Sequence, residues 1–80
     1  MGNKMIKVTR NRRAGKITLS RPCDIRPADL TNHQLNRLVS QLLRKLATVI
    51  AAEELFEFDG VDEPRFVRGR VSITAHVFIP

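Results

Sequence analysis

Eight apolar residues, Leu35, Leu38, Val39, Leu42, Leu43, Leu46, Val49 and Ile50, recur at the period of an α-helix. At 100° per residue they fall within an arc of about 140°. The opposite side holds Arg37, Ser40, Gln41, Arg44 and Thr48, so the chain must fold around one amphipathic helix and the layer its apolar side covers. The helix start is marked twice. Thr31 and Gln34 have the spacing of a reciprocal capping box, and Leu30 with Leu35 that of a hydrophobic staple. A helix from about Asn32 to Glu53 is roughly 33 Å long, near the length of a ten-residue strand, and can lie along a whole sheet. The apolar arc runs on through Ala47, Ala51 and Ala52. That is wider than a three-stranded sheet needs, and the surplus points to a homodimer.

Either side of the helix the period changes to two. Ile6, Val8, Ile17 and Leu19 alternate with Lys7, Thr9, Lys16, Thr18 and Ser20. Between these runs Asn11-Arg12-Arg13-Ala14-Gly15 reads as a basic hairpin tip, with Gly15 supplying a positive φ. Arg21 to Pro27 holds two prolines and reads as a connector. Leu55 to Phe58 is expected as a short strand, Asp59-Gly60 and Glu63-Pro64-Arg65 as turns. From Phe66 to Ile79 one long strand is expected. Its core side is Val67, Val71, Ile73, Ala75, Val77 and Ile79; its outward side is Phe66, Arg68, Arg70, Ser72, Thr74, His76 and Phe78. Gly69, on the inward side, is expected at a bulge or a close approach of the helix. The fold class is α+β in two layers, β-β-α-(β)-β, with a mostly antiparallel sheet and one sheet face free.

That free face is expected to carry Lys7, Lys16, Arg68 and Arg70 and no carboxylate. The whole chain has the same bias, with 14 Lys and Arg against 8 Asp and Glu and a formal charge of +6. For a domain this small such a balance favours polyanions. The charge is also segregated. Residues 1–26 hold eight basic residues and one acid, whereas Glu53 to Glu63 holds six acids and no base. The acidic segment is expected to pair internally with Arg65, Arg68 and Arg70, rather than to serve as a solvated loop or to mimic nucleic acid toward a basic partner.

Eighty residues form a single domain over 1–80 with one small core, too short for a cleft with several catalytic elements and their supports. The sole cysteine, Cys23, excludes an intrachain disulfide, and with no evident secretory leader the expected compartment is the cytoplasm. No stretch approaches the apolar length of a bilayer span, so no membrane is expected.

The candidate site for nucleic acid or another acidic partner is therefore Lys7, Arg10, Arg12, Arg13, Lys16, Arg68 and Arg70, with Phe66 and Phe78 as stacking surfaces. The competing reading is an ordinary solvated sheet face with a solubilising turn. His33 and His76 lie on opposite layers in this reading and do not converge, so acid–base catalysis lacks its pair. Cys23 between Arg21 and Arg26 is more simply a connector cysteine than a nucleophile. One Cys and two His match no metal spacing, and no cofactor loop is present. A non-enzymatic nucleic-acid-binding protein is expected. The alternatives are a phage or mobile-element type accessory protein that inhibits or modulates a host protein, and a homo-oligomeric structural protein.

Overall fold

A computed structural model describes residues 5–52 and 57–78. The order is β1 (Lys7–Asn11), β2 (Lys16–Pro22), a 3-10 turn (Pro27–Asp29), α1 (Asn32–Ala52), β3 (Glu57–Val61), β4 (Arg65–Val67) and β5 (Arg70–Phe78). The sheet runs β1-β2-β5-β3, with β4 beside β3 on the same edge of β5, and all pairings are antiparallel. One helix on one face of this sheet makes the expected two-layer α+β fold.

The helix begins where the capping box places it. Gln34 N–H donates to Thr31 Oγ1 at 3.1 Å and Thr31 N–H donates to Gln34 Oε1 at 3.0 Å, which satisfies donors that a helix end leaves without partners. The apolar arc then meets the inner face of the two central strands. Ile17 and Leu19 of β2, Val71, Ile73, Ala75 and Val77 of β5, and Leu42, Leu46 and Val49 of α1 form the buried core. Leu38, Val39 and Ile50 pack against it, whereas Leu43 stays 41% exposed. Arg21 donates across the layers to Gln41 Oε1 and so ties β2 to α1.

Four expectations are corrected. Arg21 and Pro22 belong to β2 and not to a connector, pairing with Val71 and Arg70. Pro22 is tolerated because β1 ends opposite Ser20, leaving β2 without a neighbour on that side. The run from Phe66 is not one strand. Arg68 (φ 52°) and Gly69 (φ 72°) are both left-handed and close a two-residue hairpin between β4 and β5. Gly69 is therefore the turn itself and not a bulge or helix contact, and an added Cβ there would meet nothing within 4 Å. The bulge lies in β3 between Phe58 and Gly60, where a turn was expected. Leu55 and Phe56, read as the start of that strand, lie outside the described residues, as do Glu53, Glu54 and Ile79.

Gly15 carries the tightest constraint on the hairpin. Its φ is +65° and its carbonyl accepts from Val77 N–H at 2.9 Å, so an added Cβ would sit 2.6 Å from the Val77 carbonyl oxygen. Gly15→Ala is expected to lose more than about 1 kcal/mol in urea unfolding followed by far-UV circular dichroism. Gly69→Ala should lose about 1 kcal/mol from its φ alone. Gly60→Ala, with open space around it, should stay within about 0.5 kcal/mol.

Candidate functional site

Residues opposite each other in an antiparallel pair share a face, so the register states which side chains stand away from α1. On β1 and β2 they are Lys7, Thr9 and Asn11, and Lys16, Thr18 and Ser20. On β5 they are Arg70, Ser72, Thr74 and His76, extended by Phe78, on β4 they are Arg65 and Val67, and on β3 Glu57 stands opposite Phe78. The centre of this face is small and polar: Thr18 Oγ1 and Thr74 Oγ1 lie 3.3 Å apart and Ser20 stands opposite Ser72. Cations surround that centre.

The register moves several predicted site residues. Phe66 pairs with Val71 and packs against the core, so it is on the helix side and not on the free face. Val67, expected inside, is outside and 59% exposed. Both exchanges follow from the Arg68-Gly69 turn, which reverses the chain and with it the alternation. Arg68 itself stands at the turn and not in a row of the sheet. Arg10 pairs with Ile17, which puts it on the helix side of β1, and it is engaged in an interaction within the protein. Arg65, by contrast, joins the free face opposite Ser72, unforeseen because its parity is legible only once the turn is known. Lys7, Lys16 and Arg70 stand where expected, and Phe78 is 60% exposed at the end of β5.

The hairpin tip is held rather than free to swing. Ala14 N–H donates to Asn11 Oδ1 at 3.1 Å, Gly15 N–H to the Arg12 carbonyl at 3.3 Å, and Gly15 is bonded to β5. Arg12 and Arg13 are exposed on this fixed turn. It lies at the end of β5, and Arg68 lies at the other end of the same strand. Nine residues of β5 span about 30 Å at the rise of an extended chain, so the cations mark a track of that order of length.

Arg70 also has an internal role. Its Nε donates to Ser20 Oγ at 3.1 Å, and its Nη2 to the Ser20 carbonyl at 3.2 Å and the Met5 carbonyl at 3.5 Å. Among the described residues the acidic segment does not pair with Arg65, Arg68 or Arg70 as expected. Asp62 Oδ2 instead meets His76 Nε2 at 2.9 Å, brought there by an Asp62 N–H bond to the Thr74 carbonyl. Carboxylates therefore do stand on the free face at its β3 edge: Asp62 beside His76, and Glu57, which the register puts opposite Phe78 on the same side. His33 is on the helix, in the opposite layer from His76. Cys23 Sγ donates to the Ile25 carbonyl at 3.3 Å. Among the described residues no cluster of three or more metal-ligating side chains forms, and no helix is long and apolar enough to cross a membrane.

These two kinds of arginine separate by stability. Arg70→Ala is expected to cost about 1 kcal/mol in urea unfolding, because it leaves the Ser20 carbonyl and hydroxyl without a charged donor. Arg12→Ala and Arg13→Ala should stay within about 0.5 kcal/mol. No family model matches this chain, and neither a curated protein nor a solved structure matches it significantly.

Proposed function

We propose that the protein binds nucleic acid without sequence-specific contacts, by presenting the free sheet face and the hairpin tip to phosphates. The observation that carries this reading is the placement of Lys7, Lys16, Arg65 and Arg70 on one face, with Arg12 and Arg13 beyond one end and Arg68 beyond the other. Cations fixed in this way on a rigid sheet meet a polyanion with little ordering cost, and releasing condensed counterions supplies the free energy. Ser and Thr hydroxyls in the middle of the face are suitable additional phosphate partners.

Duplex is favoured over single strand. Single-strand binding by a sheet relies on aromatic rings at its centre for stacking. Here the centre is Thr18, Thr74, Ser20 and Ser72, Phe66 is turned to the core, and Phe78 stands at a strand end. A track of about 30 Å corresponds to roughly nine base pairs at 3.4 Å per pair. Asp62, beside His76, marks the edge from which a polyanion is repelled.

Purified, nuclease-treated protein should bind a mixed-sequence duplex more tightly than either of its strands, with little dependence on sequence, in fluorescence anisotropy across a salt series. A combined Arg12→Ala, Arg13→Ala, Lys16→Ala variant should reduce the slope of log K against log salt by roughly 2 to 3 units, the contribution of three duplex phosphate contacts. Unchanged affinity and slope in that variant would overturn the assignment. So would recovery of one stoichiometric protein partner that survives nuclease and high salt, with no nucleic acid bound by the free protein.

A further inference from the structure

His76 is the only histidine on the free face, and the strands on either side of β5 set its surroundings. On β2 it stands opposite Lys16, beyond which come Asn11 of β1 and the Arg12 and Arg13 tip. On β3 the position opposite is Gly60, which has no side chain, with Asp59 in the bulge beside it and Glu57 further along, opposite Phe78. Asp62 follows β3 and reaches the ring from that side. Its N–H bond to the Thr74 carbonyl brings the carboxylate over, and Oδ2 meets Nε2 at 2.9 Å. The two side chains are 37% and 58% exposed, so a ligand on this face can reach both. His33, the other histidine, is in the helix layer.

An ionised carboxylate accepts hydrogen bonds and donates none, so Asp62 fixes the proton of a neutral His76 on Nε2. Nδ1 then holds a lone pair, and it makes no hydrogen bond among the described residues. A neutral His76 therefore has nothing to donate to a phosphate oxygen, while Asp62 opposes the phosphate charge. Adding one proton reverses both effects. Nδ1 becomes a donor, and the imidazolium offsets the carboxylate beside Lys16.

We infer that His76 is a proton-gated phosphate contact. With the ring protonated it joins Lys16 on the backbone of a bound duplex; with the ring neutral, Asp62 holds it in the tautomer that cannot donate there. This inference rests on the nucleic-acid reading and deepens it. By linkage, a duplex that prefers the protonated ring binds more tightly as pH falls, and its binding in turn draws a proton onto the ring. Between about pH 7.5 and about pH 5.5 imidazole is the side chain that ordinarily changes charge, whereas ammonium, guanidinium and carboxylate groups ordinarily keep theirs.

Fluorescence anisotropy of a mixed-sequence duplex with the nuclease-treated full chain, at about pH 7.5 and about pH 5.5 and constant salt, tests it, with far-UV circular dichroism as the control for folding. Affinity is expected to rise roughly three- to tenfold at the lower pH and the salt slope to steepen by about 0.9, the contribution of one phosphate contact. His76→Gln should leave the affinity at the higher pH nearly unchanged and abolish the rise, whereas His33→Gln should keep it. Asp62→Asn should bind more tightly than the wild type at the higher pH. At about pH 6.5, where imidazole is part-protonated, duplex should move the Cε1 proton resonance of His76, and not that of His33, toward its acid position. A bound duplex with the same affinity at both pH values, or a rise that persists in His76→Gln, would overturn the inference and leave the nucleic-acid reading standing. No duplex binding at either pH would overturn both.

Discussion

The structure depends on the inner face of β5. Val71, Ile73, Ala75 and Val77 are all buried, in the strand that joins the N-terminal hairpin to β3 and β4 beneath the helix. β2 pairs along one side of this strand, β3 and β4 share the other, and α1 lies over it. Burial of these four residues against Leu42, Leu46 and Val49 removes the apolar surface that stabilises a domain of this size. The outer residues of the same strand, Arg70, Ser72, Thr74 and His76, are then presented on the opposite side with no freedom in register, because a slip of one residue would exchange the two sets.

Charge segregation acquires its meaning from this arrangement. The basic N-terminal hairpin becomes one outer edge of the sheet and its tip, while β3, with Glu57 and Asp59, becomes the other edge. β5 stands between them and contributes Arg70 to one side and His76 to the pair with Asp62. The acids therefore gather at the β3 edge of the sheet, Glu57 on the same face as the cations and Asp62 beside His76.

Much of the fold was legible because two local rules were obeyed without interruption. The capping box at Thr31 and Gln34 marked the helix start, and the helical period of the leucines marked its buried side. Alternation from Val71 onward and from Lys16 to Leu19 was equally direct. The exchange of faces around β4 has one source. Phe66 and Val67 continue an apparently regular alternation into β5, and Arg-Gly is a poorer hairpin signal than Asn-Gly or Asp-Gly. Without the turn both residues fall on the wrong face, Arg65 drops out of the site and Phe66 enters it. Charge and proximity alone put Arg10 in the footprint, whereas its register with Ile17 puts it on the helix side.

What sequence alone determined was the set of amphipathic elements and the excess of cations on the N-terminal strands, because each depends on spacing along one segment. Which residues share the free face, how the hairpin tip is anchored through Gly15 to Val77, and why Asp62 meets His76 were decided by tertiary structure. Those relations join positions distant in the chain, and their parity is set by a two-residue turn whose left-handed backbone is stable only when the strands on either side of it have paired.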